Sequence, residues 1–145
     1  MKKPSEIKCV EGRKTYFLPP NFRTITLFGI VYCQSELDVK RLNESDNVDS
    51  VLKCHETIHV RQAESVDDSW FKYYLRYIWQ WLCNLPLIFI NFYAPYRFTP
   101  FEIEAYKHER YYTYPSRGTA NEWREYETLS LKQKREMAKE YYKKG

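Results

Sequence analysis

Histidine and glycine are scarce in this sequence, with three of the former and four of the latter among 145 residues. So few glycines, beside an aromatic share of 18%, exclude a flexible low-complexity chain and point to a packed globular one. The sequence holds no internal repeat and no linker that would separate two cores, and its length is that of one ordinary domain. A single domain over residues 1–145 is therefore expected, with a charged helix or tail from about residue 120. Zinc-finger spacing is missing as well: Cys9, Cys33, Cys54 and Cys83 form no C-x-x-C pair. The excess of charge is small, +4, and no stripe of Lys and Arg interleaved with stacking aromatics is found, so nucleic acid is not expected as a partner. Met1-Lys2-Lys3-Pro4-Ser5-Glu6 leads into no apolar segment, which gives a reduced, cytoplasmic setting as the default expectation. The even number of cysteines leaves one or two disulfides open for an exported form, and a membrane-associated form is open too.

Charge is absent from Tyr77 to Tyr96, a stretch of about the length a membrane span requires. Gln80, Asn84, Pro86, Asn91 and Pro95 interrupt it, and it divides at Asn84-Leu85-Pro86 into a helix end and a new short element. Polar groups are costly in lipid. A buried or interfacial segment is expected in place of a span, with peripheral membrane contact through residues 77–96 left open.

The run from Phe22 to Tyr32 is rich in β-branched and aromatic residues and follows the breaker Pro19-Pro20-Asn21, so it reads as one strand, or as two short ones with Gly29 at a bulge. Residues 35–50 are polar and acidic, with Asn43, Ser45, Asp46 and Asn47 as turn or cap formers, and read as a loop. A helix is expected from about Val48 to Glu64, and a second from about Ser69 to Leu82 with Asp67, Asp68 or Ser69 as cap. The second helix carries Trp70, Tyr73, Tyr74, Tyr77, Ile78 and Trp81 at helical spacing, a stripe read as core packing. Thr99-Pro100-Phe101-Glu102 has the form of a helix start, with Thr99 as N-cap and Pro100 at the first position, and that helix should run to about Tyr112. After the breaker Tyr114-Pro115-Ser116-Arg117-Gly118 a charged, helix-favouring stretch runs from Ser130 to Tyr142. The fold class expected is α+β, mainly helical, with a short edge strand or small sheet.

Two of the three histidines stand in His55-Glu56-Thr57-Ile58-His59, an H-E-x-x-H pattern on an expected helix. Val51, His55, Ile58, His59 and Gln62 share one face. Histidines at i and i+4 stand one above the other, so both imidazoles can reach one Zn²⁺, while Glu56 beside the first lies where it can handle a water that the metal activates. A third ligand is required. The candidates are Glu102 and, as the alternative, Glu104, in the helix Pro100-Phe101-Glu102-Ile103-Glu104-Ala105-Tyr106. Two residues apart, these carboxylates are rotated by roughly 200° and cannot share the task. Glu102 lies with Ala105, Tyr106 and Glu109, and its small neighbour permits close approach of the two helices. Glu104 lies with Lys107 and His108 on what reads as a solvent-facing side, and Glu102 is the expected ligand.

These residues resemble the gluzincins, the thermolysin-like HExxH zincins whose third ligand is a Glu on a downstream helix. The pairing of His55-Glu56-Thr57-Ile58-His59-Val60-Arg61-Gln62 with Glu102-Ile103-Glu104-Ala105 is similar to minigluzincins and small bacterial families that combine an HExxHxxQ helix with an E-x-E-A helix. The resemblance implies a small zincin-like domain with zinc as cofactor, Glu102 as third ligand and Glu56 as general base. It also implies an edge strand, here Thr24–Tyr32, that binds an extended peptide or protein substrate. Thermolysin-type members often carry an Asp four residues after the ligand Glu; here Tyr106 stands there, and its hydroxyl is the expected substitute. Tyr106, His108, Tyr111 and Tyr112 are the candidates for stabilising a developing oxyanion. No Met-turn or third histidine in H-x-x-G-x-x-H spacing follows, which argues against metzincins. The function expected is peptide-bond hydrolysis. The alternative is a non-catalytic zinc-binding protein that acts through its aromatic segment at a membrane or protein partner.

Overall fold

The β-rich run after Phe22 folds back on itself. In the computed structural model, which describes residues 2–20, 22–45, 47–117 and 120–144, β1 (Arg13–Lys14) runs parallel to β3 (Ile30–Cys33), and β2 (Thr24–Leu27) pairs with β3 antiparallel. The order is β1-β3-β2, so β2 is an edge strand. Leu27 pairs with Ile30, and between them Phe28 and Gly29 both have positive φ, 53° and 82°, as a tight two-residue hairpin requires. Space demands glycine here too, since a Cβ at Gly29 would lie 2.3 Å from Ile7 Cγ2. Gly29 thus makes a turn between two strands and not a bulge. Asn21, Asp46 and Gly118, read above as turn or cap formers, lie outside the described residues.

Residues 35–50, expected to be loop, contain α1 (Glu36–Asn43). Ser35 caps it by accepting from Leu37 N, Glu36 and Asp38 stand in its first turn, and Lys40 and Arg41 in its last, the arrangement that suits the helix dipole. Only a narrow apolar edge is needed: Leu42 is buried with Val31 and Cys33, with Val39 packed beside them. Asp38 is buried as well and receives Arg23 through two bonds of 2.6 and 2.8 Å. That pair fastens α1 to the residue just before β2.

α2 (Val51–Ser65) starts where Ser50 accepts from Lys53 N. Asp67 and Asp68, both at positive φ, form the turn into α3 (Trp70–Cys83), and Ser69 caps it. A 3-10 turn over Leu85–Phe89 and the short α4 (Ala94–Arg97) carry the chain to α5 (Pro100–His108), whose N-cap is Thr99. α5 ends earlier than expected, because Tyr111 N turns back onto His108 O and Cys54 Sγ donates to both His108 O and Tyr111 O. α6 (Trp123–Tyr126) and α7 (Leu131–Lys144) complete the fold, which is α+β and mainly helical.

Val60 and Ala63 of α2, Trp70 and Tyr73 of α3, Phe101 of α5 and Trp123 of α6 form the main core. Burial of a side chain the size of Val60 or Phe101 contributes roughly 1.5–3 kcal/mol. Cys54 and Ile58 of α2 meet Ala105 of α5. These short contacts bring the two motif-bearing helices together. α7 is packed, not a loose tail: Ala138 is buried with Leu87, Ala94, Phe98 and Ile103, and Lys134 Nζ donates to Asn84 Oδ1 at 2.9 Å. The aromatic stripe of α3 is only partly core. Trp70 and Tyr73 are buried and Tyr74 and Tyr77 pack against them, whereas Ile78 and Trp81 of the stripe are exposed, as are Phe71, Leu75, Trp79 and Leu82 outside it. Among the described residues no helix is long and apolar enough to cross a membrane, and the four cysteines are unpaired.

Candidate metal centre

α2 and α5 converge so that His55, His59 and Glu102, all more than nine-tenths buried, present ligand atoms within 4.8 Å of one another. His55 Nε2 lies 3.1 Å from Glu102 Oε2, and His59 Nε2 lies 3.1 Å from Glu102 Oε1. Ligands at zinc distances in a tetrahedral array stand about 3.3 Å apart, so the spacing suits such an ion.

The partners of the opposite ring nitrogens decide the tautomers. His55 Nδ1 is 2.9 Å from Glu109 Oε2. A carboxylate only accepts, so Nδ1 carries the proton. His59 Nδ1 is 2.9 Å from Gln62 Oε1, with the Tyr73 hydroxyl 3.3 Å away. The Gln62 amide is oriented by its other end, since Nε2 donates to Phe101 O at 2.8 Å and to Glu104 Oε1 at 2.7 Å. In the neutral rings both Nε2 lone pairs therefore point at a carboxylate. Three electron-rich atoms facing one another in a dry interior require a cation among them, a proton or a metal ion. The pKa shifts express the same demand. Burial alone would drive His55 neutral, yet Glu102 and Glu109 raise it to about 10. His59 is raised by Glu102 against the same burial, and the two imidazoles hold Glu102 well below the carboxylate range although burial pushes it up.

Glu56 ligates nothing in this group. Thr24 Oγ1 donates to its Oε1 at 2.8 Å and Thr26 Oγ1 donates to its Oε2, so alternate residues of β2 clamp the carboxylate. β2 is itself held from α3, where the Tyr74 hydroxyl donates to Thr26 O at 2.7 Å and accepts from Phe28 N at 3.0 Å. Two cavities flank Glu56 and share Phe22, Thr24, Glu56 and Tyr96. One, of about 410 Å³, reaches His55, Arg97, Tyr106 and Glu109. The other, of about 320 Å³, reaches His59 and Glu102 beside the apolar Ile25, Leu27 and Trp81.

Glu104 does not lie on a solvent-facing side. It is fully buried and accepts from Gln62 Nε2, from the Tyr114 hydroxyl at 2.7 Å and from Glu122 N at 2.8 Å. Helix rotation does keep it from the histidines, but the groups on its own side are a second set of donors. Tyr106 reaches the site through its ring, 4.5 Å from that of His55 between centroids; the hydrogen-bond partner expected of its hydroxyl is supplied to His55 by Glu109. His108 is not brought to the group. It stacks on Tyr114 and pairs with Glu122, and Tyr111 and Tyr112 are exposed. The sequence placed Tyr77 in the core stripe of α3 and assigned no site role to it, though its hydroxyl donates to Glu102 Oε1 at 3.0 Å, or to Tyr96, which lines both cavities. No spacing marks these tyrosines, but Glu109 was visible on the face of Glu102. Comparison of the chain with protein-family models, with curated proteins and with solved structures returned no match.

Proposed function

We propose that this chain is a zinc-dependent metallopeptidase of the gluzincin type on a small zincin-like fold, with His55, His59 and Glu102 as ligands. The observation that carries this reading is the convergence of two Nε2 lone pairs and a carboxylate beside Glu56, a carboxylate that binds none of them. Zinc in such a place lowers the pKa of water to about 7 and polarises a carbonyl. Glu109 and Gln62 fix the rings of the two histidines, the partners such ligands need. Glu56, steadied by Thr24 and Thr26, takes the proton of the attacking water and returns it to the departing amine nitrogen. Tyr96 lines both cavities that flank this carboxylate; burial, and then the charge of Glu102, push its phenol well up, which keeps it a donor for the oxygen that gains charge. Substrate peptide pairs with the open edge of β2. A structural zinc site would be closed by four protein ligands and has no use for Glu56.

The deciding experiment measures zinc content and peptide cleavage for the wild type and Glu56→Gln. The variant is expected to retain one zinc per chain and its fold while losing all hydrolysis. Cleavage that survives the substitution overturns the mechanism. A zinc-loaded wild type that cuts nothing in a broad peptide library turns the reading toward the alternative, a non-catalytic zinc-binding protein that acts through its aromatic segment at a membrane or protein partner. A specific observation favours that second reading: Phe71, Leu75, Ile78 and Trp79 on α3 and Ile88, Phe89 and Phe92 beyond it are exposed, and no carboxylate occurs between Asp68 and Glu102.

A further inference from the structure

Arg97, at the end of α4, is held by rings and by nothing else. Its guanidinium carbon lies 3.8 Å from the ring centroid of Tyr106, 4.7 Å from that of Tyr141 and 5.3 Å from that of Phe98. Tyr106 in turn rests on His55. Aromatic faces occupy the flat of a guanidinium, while its N–H groups lie in the plane and point past the rings. Those donors are unspent: among the described residues the buried Nε has no hydrogen-bond partner, and Arg97 makes no ion pair. The carboxylates that line the same cavity are engaged elsewhere, Glu109 by His55 and Glu56 by the two threonines. Arg97 also lines the 410 Å³ cavity together with His55, Glu56 and Tyr96. Arg97 is partly buried, and its buried Nε is an unsatisfied donor that the anion of a ligand would satisfy.

We propose that Arg97 is the carboxylate-binding residue of this site, so that the substrate is a peptide bearing a carboxylate on the His55 side of Glu56. A planar carboxylate matches two in-plane N–H groups of a guanidinium, which a lysine cannot reproduce. The carboxylate is either a peptide C-terminus or an acidic side chain. This assignment rests on the metallopeptidase reading for its substrate class, and its test is therefore a binding measurement on the whole chain with and without zinc.

Three peptides serve as probes: N-acetyl-Ala-Phe-Ala as the free acid, its C-terminal amide, and the amide with Glu in place of the last Ala. Their affinities are measured by calorimetry for the wild type, Arg97→Gln and Arg97→Lys, in zinc-loaded Glu56→Gln background and in chelator-treated protein. A carboxylate-bearing probe is expected to bind at least about tenfold tighter than the plain amide in both states. Arg97→Gln should erase that preference, and Arg97→Lys should restore part of it. Preference for the free acid identifies a C-terminus as the source, and preference for the Glu amide identifies a side chain. Equal affinities for all three probes overturn the proposal. So does a preference that survives in folded Arg97→Gln, or one that exists only with zinc, since the metal itself would then hold the carboxylate. If Arg97→Gln fails to fold, a weakened preference without loss of melting temperature in Arg97→Lys supports the role of the fork, and full retention there overturns it. A preference in the metal-free protein stands even if the loaded protein cleaves nothing, which separates this inference from the proposed activity.

Discussion

Gln62 and Glu104 join the two helices that carry the candidate ligand group, because one amide spans His59, the Phe101 carbonyl and the Glu104 carboxylate. Under the proposed function Glu102→Ala removes one of three candidate ligands and should abolish measurable zinc binding in a competitive titration. Under the same reading Glu104→Gln disturbs what orients Gln62, and through it His59, together with the bonds from Tyr114 and Glu122 N, so zinc affinity should fall by about 10–100-fold, the range of outer partners. The reverse order of losses would overturn the assignment of Glu102. That His55, His59 and Glu102 come together was legible in the sequence: the histidines at i and i+4, and the helix rotation that separates Glu102 from Glu104, are local facts. The surroundings of Glu104 were not. A Glu between Ile103 and Ala105 reads the same whether its donors are water or Tyr114 and Gln62, which come from distant chain.

At the scale of elements, Glu122 ties α5 to the start of α6. It accepts from Lys107 Nζ at 2.6 Å and from the Tyr126 hydroxyl at 2.9 Å, and it pairs with His108. Burial would raise its carboxyl, but Lys107, His108 and Tyr126 bring it down to about 2 from the ordinary 4.5. A carboxyl depressed in the folded state stabilises it fully above about pH 4.5, and that stability is lost as pH falls through about 2. Urea unfolding of the wild type and Glu122→Gln should therefore show a stability gap that is constant near neutrality and closes over this acid window. A gap independent of pH would sink the assignment. Element existence was readable for α2, α3, α5 and α7, where apolar or helix-favouring spacing is long. α1 was hidden because two apolar residues, Val39 and Leu42, suffice to seat it on the sheet, and its capping residues resemble those of a loop. The division of the β run into a hairpin turned on Phe28, a residue that seldom takes positive φ and so gives no turn signal.

At the scale of the molecule, the outer side of α3 and the stretch after it leave a broad apolar surface that contributes no carboxylate of its own, with Asp67 and Glu127 at its border paired to Lys72 and Arg76. α3 has 14 residues, roughly 21 Å of helix, too short to cross a bilayer and suited to lying in its interface. Under the second reading the protein should co-sediment with vesicles containing phosphatidylserine and its tryptophan emission should shift to the blue. Substituting Leu75, Trp79 and Phe89 by Ser should weaken that binding by about tenfold or more. Wild-type protein that stays in the supernatant at all lipid concentrations removes the membrane form of this reading. The interruption of residues 77–96 by Asn84 and Pro86 foretold the break between α3 and α4, but which side would face solvent depended on the core chosen by Trp70, Tyr73 and Phe101.

The open edge of β2 is four residues long, about 13 Å of extended chain, and one of its carbonyls, Thr26 O, is already taken by Tyr74. In the proposed reaction a strand of substrate has only this short rail to lie along, and the rail sits between α2 and α3 where a folded neighbour would collide with both. Only a segment that is already loose, a terminus or a frayed loop, can be laid there. The fold would thus distinguish slack chain from structured chain before any side chain is sampled.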